Sequence, residues 1–323
     1  MSRLAADTVR CMGTVGSTDR RLALLGVPTS LGAHAPGQER CPSAFRAAGL
    51  VERLSAAGFE LDDLGDLART RNAPDPANRR AQNGSAVAAV ARETAAALGP
   101  VFAQDSPALV IGGDCTIEVG VVAALTQSTP RVGLLYVDAG PDLNTPRSVT
   151  TGFLDWMGMS HILGEPDAME ELSRVGARFP LLRAEDVTLF GAEPEELTDH
   201  ENARVAALEL QTYWAADVRN SPTAVAASAL DQMENRADAI LVHLDVDVMD
   251  FIDFPAADFP TINAGLTFEQ TMACIDVFVR SPKFKGLTIT EFNPDHVDEH
   301  EQLVVTFVER LVRALTGMPS PTG

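Results

Sequence analysis

Residues 135–146 read Leu135-Tyr136-Val137-Asp138-Ala139-Gly140-Pro141-Asp142-Leu143-Asn144-Thr145-Pro146. An apolar run stops at two aspartates four residues apart and passes into an Asn-Thr-Pro turn. The run Val132–Val137 predicts a buried strand that delivers both carboxylates to its carboxyl end. In parallel α/β sheets that edge is where ligands bind. Two like charges held this close repel unless a cation sits between them. The stretch therefore predicts a divalent-metal site, and a helix cap followed by a turn aspartate is the competing reading of the same residues.

Two further runs end in the same chemistry. Ile240-Leu241-Val242-His243-Leu244-Asp245-Val246-Asp247 predicts another buried strand. Strand side chains alternate, so His243, Asp245 and Asp247 are expected on one face. A third strand, Ala108–Ile111, runs into Gly112-Gly113-Asp114-Cys115-Thr116, where the glycines allow a tight turn and Cys115 follows at the strand's mouth. If these strands are neighbours, Asp138, Asp142, Asp245, Asp247 and the Cys115 thiol converge. Such a set suits one or two divalent ions such as manganese.

Around these runs the chain alternates strand and helix, which predicts an α/β fold with a parallel sheet covered on both faces. Strands are expected at Arg21–Val27, Glu60–Leu64, Val187–Phe190 and Leu287–Thr290. Helices are expected from Pro42 to about Ala57, then at Gly84–Leu98, Glu118–Leu125, near Phe153–Leu163, at Thr223–Arg236 and at Gln302–Leu315. Thr267 with Gln270 three residues on predicts a capped helix start running to Val279. Residues 1–20 read as a loose leader, 21–316 as one domain and 317–323 as a tail.

Composition narrows the class. The chain has 323 residues, 46% of them hydrophobic, enough for one large domain with a full core. It contains no apolar run of membrane-spanning length, and its first residues lack the apolar core of a signal peptide, so the cytoplasm is the default expectation. Cys11, Cys41, Cys115 and Cys274 show neither zinc spacing nor a disulfide framework. A net charge of −20 argues against nucleic-acid and anionic-membrane partners and favours cationic substrates, although it fits plain solubility equally well.

In order along the chain, these motifs resemble those of the arginase/agmatinase (ureohydrolase) family. Gly112-Gly113-Asp114-Cys115-Thr116 is similar to the family's Gly-Gly-Asp-His-Ser. Asp138 to Pro146 resembles Asp-Ala-His-x-Asp with its Asn-Thr-Pro turn, and Asp245-Val246-Asp247 resembles the Asp-Val-Asp strand. Gly265-Leu266-Thr267 and Glu291-Phe292-Asn293-Pro294 match two closing motifs. The resemblance spans about residues 21–316. It implies a three-layer α/β/α domain with a mostly parallel, eight-stranded sheet. It also implies a binuclear manganese site that hydrolyses guanidinium groups and releases urea, in subunits that often form trimers or hexamers.

The departures from that pattern bear on the chemistry. All four ligand aspartates are present, but Cys115 replaces the first ligand histidine and Gly140 the second. Asp155 aligns with the family's general-acid histidine. A Cys ligand without the acid histidine resembles the branch acting on N-hydroxy-arginine, whose better leaving group needs a proton donor less. His243 is a candidate replacement ligand, filling the space that Gly140 leaves, or a buried partner of a carboxylate. Glu291 is expected to pair with the guanidinium. Asn144 and Thr151 match positions that hold the α-carboxylate and α-amino ends of arginine, while Val149 and Phe153 replace polar residues there, which makes free L-arginine doubtful. Glu195 and Glu196 are candidates to hold an amino group. His34 lies in the exit loop of the first strand, and His161, His200, His296 and His300 read as surface residues. The competing functions are a metal-poor binding or regulatory relative and a formimino or amidine hydrolase.

Overall fold

The central strands form from apolar runs buried along most of their length, whereas the two edge strands, Phe59–Asp66 and Gln211–Trp214, are only partly buried. A computed structural model describes residues 20–297 and 301–319. The strands are β1 (Arg20–Gly26), β2 (Phe59–Asp66), β3 (Ala108–Ile111), β4 (Val132–Val137), β5 (Val187–Ala192), β6 (Gln211–Trp214), β7 (Ala239–Asp245) and β8 (Phe284–Thr290). They form one sheet in the order β2-β1-β3-β8-β7-β4-β5-β6, parallel at every pairing.

The period-two alternation of side chains divides the core into two layers. Leu22, Leu24, Leu135, Val137, Val242 and Leu244 face the helices Cys41–Ala47, Leu50–Ala56, Pro222–Arg236, Phe268–Phe278 and Glu301–Leu315. Ala23, Leu25, Val110, Leu134, Tyr136 and Leu241 face Gly84–Ala103, Ile117–Leu125 and Gly158–Leu163. The result is the expected three-layer α/β/α arrangement.

Local departures have local causes. The helix expected from Pro42 to Ala57 is two helices, broken at Gly49, which takes a φ of 81°. The segment around Phe153–Leu163 starts as a 3-10 turn, Asp155–Met157, before the helix Gly158–Leu163. The acidic segment after β5 contains a helix, Asp199–Ala207, opened by a capping box between Thr198 and Glu201. Met318, in the stretch read as a tail, is buried in the first core layer. Among the described residues one helix, Gly84–Ala103, is long and apolar enough to cross a membrane. Its Val87, Ala91, Leu98 and Phe102 are buried against the sheet layer, as in the core helix of a globular domain. Residues 1–19 of the expected leader, His300, and 320–323 of the expected tail lie outside the described residues.

Candidate metal centre

Four consecutive strands, β3, β8, β7 and β4, bring their carboxyl ends to one cavity of about 670 Å³, open mouth included. The three strands singled out in the sequence are close but not all adjacent, because β8 separates β3 from β7. Cys115, Asp138, Asp142, Asp155, Glu196, Asp245, Asp247 and Glu291 all line this cavity. His243, Asn144 and Thr151 do not.

The β3 exit loop is set by glycine. A Cβ on Gly113 would lie 1.7 Å from the Thr29 carbonyl oxygen, so no other residue fits. The Gly113 carbonyl accepts a hydrogen bond from the Glu291 amide at 2.8 Å, which ties the mouth of β8 to that of β3. Asp114 is buried beneath the loop and accepts from the amides of Gly32 (2.9 Å) and Thr116 (3.1 Å). Cys115 is thereby turned into the cavity floor. Its thiol donates to Asp245 Oδ2 at 2.7 Å, and its amide donates to Glu291 Oε1 at 3.1 Å.

The β4 exit carries Asp138 and Asp142. Asp138 Oδ1 accepts from the Gly140 amide at 2.7 Å, while its buried Oδ2 has no hydrogen-bond partner among the described residues. Asp142 takes a φ of +50°, and the Tyr136 hydroxyl donates to its Oδ2 at 2.5 Å. Glu291 also lies in the left-handed region, at φ +60°. Two non-glycine residues with positive φ in one cavity are conformations that the surrounding structure must hold.

β7 ends one pair earlier than the sequence suggested. Val246–Val248 form a 3-10 turn, whose first amides are satisfied by Asp245, with Asp245 Oδ1 accepting from the Asp247 amide at 2.8 Å. Asp247 therefore reaches the cavity from a turn and not by strand alternation, and its Oδ1 accepts from the Ala139 amide at 3.2 Å.

His243 departs further from expectation. It lies under the cavity floor, fully buried, and does not occupy the space beside Gly140. Its Nδ1 stands 3.4 Å from Glu118 Oε2, and its Nε2 lies 3.2 Å from Thr290 Oγ1 and 3.5 Å from Cys115 Sγ. Stacking on Tyr136, the neighbouring residue on β4, fixes the ring in that place. A Cβ at Gly140 would meet nothing closer than Asp138 Oδ1 at 3.6 Å, so that side of the cavity remains open.

Burial and mutual charge shape the acids. Burial, followed by the charge of neighbouring carboxylates, pushes Asp138, Asp245 and Glu291 well above the ordinary carboxylate range. Burial likewise raises Asp142 against the opposing hydrogen bond from Tyr136, and it raises Asp247 to about 6. Asp155 is raised well above its ordinary value by burial and then by Asp114. Its Oδ1 accepts from the Trp156 amide at 2.9 Å, and its buried Oδ2 is unpartnered among the described residues.

Other residues belong elsewhere or arrive unannounced. Asn144 is buried as a loop brace, its Oδ1 accepting from Ser148 and Thr198, both at 3.1 Å. Thr151 is exposed, and its carbonyl accepts from Gln82 at 2.7 Å. Glu196 lines the cavity mouth and Glu195 does not. His34 packs against Phe259, with ring centroids 4.3 Å apart. His161 is not a surface residue: it is fully buried, with Nδ1 2.6 Å from the Met157 carbonyl and Nε2 accepting from the Met169 amide at 3.2 Å. Burial lowers it to about 4, so it is a neutral brace. Glu201, Trp156, Phe259 and Thr261 line the cavity without having been singled out. Glu201 was legible only as the third residue of a helix cap. Gln38, which donates to Glu291 Oε2 at 2.8 Å, lies 253 residues away and carries no signal in the sequence.

The profile of the Arginase family matches residues 20–316. The chain belongs to the arginase family. It is 28% identical to the arginase of Bacillus caldovelox over 275 residues, 84% of this chain and 91% of that relative. The crystal structure of arginase from Bacillus cereus superposes with a TM-score of 0.83 at 25% identity, covering 93% of this chain and 99% of the other. The formimidoylglutamase of Bacillus subtilis shares the fold, with a TM-score of 0.73 at 18% identity over 99% and 97% of the two chains. As an arginase-family member the protein is a hydrolase acting on amidino or guanidino groups. The family is typically metal-dependent, and in this member Cys115, Asp138, His243 and Asp245 form a group able to hold an ion.

Proposed function

We propose that the protein hydrolyses a C–N bond of a cationic guanidine, using divalent metal held at the carboxyl edge of the sheet. The reading is carried by the four aspartates at the family's ligand positions, gathered in one buried cavity with Glu291 beside them. The residues fit a cation: Asp138 Oδ2 is buried and unpartnered among the described residues, and burial followed by neighbouring charge raises the carboxyls that a cation would relieve. Asp138, Asp142, Asp245 and Asp247 would hold manganese, which suits oxygen ligands, while Cys115 offers a softer sulfur ligand beside them. A divalent ion so bound supplies Lewis acidity and lets water ionise near neutral pH.

The chain's own groups supply the rest. Glu291 is held at both oxygens, by the Cys115 amide and by Gln38, so its carboxylate is oriented before substrate arrives. A two-oxygen carboxylate matches the paired N–H groups of a guanidinium. Asp155, kept protonated by burial and with a free Oδ2 at the cavity wall, can deliver a proton to the departing nitrogen. Trp156 and Phe259 stand with their rings 6.5 Å apart and 12° from parallel at the wall, a flat surface for a planar cation.

Substrate choice follows from the lining. Among the described residues, eight of the fourteen that line the cavity are Asp or Glu, and none is Lys, Arg or His. No basic side chain among the lining residues is placed to pair with a substrate carboxylate, so L-arginine is disfavoured against a guanidine bearing an amine or a neutral tail. Glu196 is placed to receive that amine. N-hydroxylated guanidines remain within this class, since they place less demand on Asp155. Assembly as a trimer or hexamer in the cytoplasm belongs to the same proposal.

The test is metal analysis of the purified protein together with product release from a panel of L-arginine, agmatine, N-hydroxy-arginine and an N-formimino amidine. Urea or hydroxyurea from a guanidine, abolished by chelation and restored by manganese, is the expected result. Formamide release would move the reading to the formimino class. A protein that takes up no divalent ion and turns over no member of the panel ends it.

A further inference from the structure

The Cys115 end of the cavity differs chemically from the rest. Cys115 Sγ, His243 Nε2, one oxygen of Asp138 and one of Asp245 all lie within 4.8 Å of one another, and all four residues are buried. Sγ and Nε2 are 3.5 Å apart, and Nε2 is 3.9 Å from Asp138 Oδ2. Four ligands arranged tetrahedrally on zinc, at bond lengths of about 2.0–2.3 Å, stand roughly 3.3–3.8 Å from one another. Sγ and Asp245 Oδ2 stand closer, at 2.7 Å, a contact that contains the thiol proton and would open once that proton leaves.

A second observation points independently to an ion. Glu118, fully buried on the helix Ile117–Leu125, stands 3.4 Å from His243 Nδ1. A carboxylate accepting from Nδ1–H leaves the Nε2 lone pair facing the Thr290 hydroxyl at 3.2 Å and the thiol at 3.5 Å, and this carboxylate–histidine arrangement orients metal-binding imidazoles generally. The stack on Tyr136, with centroids 4.1 Å apart, stops the ring from turning away. Asp138 Oδ2, buried and unpartnered among the described residues, completes the group.

We propose that Cys115, His243, Asp138 and Asp245 form a metal position that selects zinc-class ions over manganese, with Glu118 setting the His243 ring. Thiolate and imidazole are the softer ligands in the cavity, and manganese prefers the oxygen-only side at Asp142 and Asp247. The proposal deepens the metal-dependent reading above and rests on it for the presence of ions, but not for the reaction.

Cobalt(II) tests it, because a cobalt–thiolate bond absorbs in the near ultraviolet and carboxylate ligation does not. Chelator-stripped full-length protein is titrated with cobalt(II) and followed by absorption and by bound metal. The expected result is a thiolate band that saturates at one ion per chain, is displaced by one equivalent of zinc, and survives a hundredfold excess of manganese. In Glu118→Gln the band is retained and cobalt affinity falls about 10- to 100-fold. Cys115→Ser loses the band while its circular dichroism is unchanged. If wild-type protein binds cobalt without the band, or manganese displaces cobalt, the position is not as described, and urea release on the panel then still supports the hydrolase reading. If the band appears but no guanidine is cleaved, the position stands and the hydrolase reading falls. Should Cys115→Ser fail to fold, an unchanged cobalt affinity in Glu118→Gln overturns the role given to Glu118 and His243.

Discussion

Tyr136 and His243 lie on adjacent strands, paired in register, and stack with centroids 4.1 Å apart and planes 3° from parallel. The stack points the two residues' polar ends at opposite parts of one site. The Tyr136 hydroxyl reaches Asp142, and the His243 Nε2 reaches Cys115. Removing the hydroxyl alone separates these roles. Tyr136→Phe keeps the stack but leaves Asp142 Oδ2 without its donor. Manganese retention should fall about 10- to 100-fold, the usual cost of losing a hydrogen bond to a metal ligand. Equilibrium dialysis reads the loss, and cobalt uptake by Cys115 should be little changed.

Asp155→Asn removes the proton donor without altering size or the acceptor for the Trp156 amide. A loss of about 10²- to 10⁴-fold in kcat is expected on a guanidine substrate, with metal content unchanged. The alkaline limb of the pH–rate profile should vanish with it. An N-hydroxyguanidine should lose less, because its leaving group needs the proton less. Equal losses on both substrates would show that Asp155 acts by binding.

The acid cluster makes the metal-free protein pH-sensitive in a defined direction. Asp247 rises from 3.8 to about 6 on folding, so the folded state favours its protonated form. Its stability contribution is full below about pH 4 and is lost as pH rises through about 6, on the order of 3 kcal/mol for this group. Asp138 and Asp245, also raised, act in the same direction. The Tm of chelator-stripped protein should therefore rise as pH is lowered from 7 to 5. Metal should reverse the trend, since ions and protons compete for the same oxygens. A Tm of stripped protein that falls over that range contradicts this account.

Gly140→His tests the open side of the cavity. The glycine's Cβ position is free of close contacts, at 3.6 Å from Asp138 Oδ1 and 4.0 Å from Asp142 Oδ1. An imidazole placed there restores the ligand type that the family motif carries at this position. Manganese affinity should rise about tenfold or more, measured by calorimetric titration. No change would mean that the aspartates alone already hold the ion on that side.

Gly113→Ala should be costly. The added methyl cannot coexist with the Thr29 carbonyl, so the β3 exit loop must shift, and the Glu291 amide bond with it. A destabilisation of about 2 kcal/mol or more in urea unfolding is expected, with loss of metal binding.

The sequence by itself determined the central strands and the charge at their ends, but not the half-buried edge strand Gln211–Trp214. Val132–Val137 and Ala239–Asp245 are too apolar to lie outside a core, and carboxylates that terminate such runs emerge at one edge of a parallel sheet. Asp138, Asp142, Asp245 and Cys115 were therefore legible from local pattern. The tertiary structure alone decided what depends on register and on long-range approach. The 3-10 turn Val246–Val248 moved Asp247 off the strand face, and a stack across two strands drew His243 beneath Cys115 instead of beside Gly140. The loop after Thr145 carried Thr151 out to solvent while turning Asp155 inward. Gln38 and Glu118 joined the site from distant segments. Burial and backbone period are properties of a few neighbouring residues, so the chain spells them out. The meeting of side chains from separate strands and helices is fixed only when the whole sheet closes.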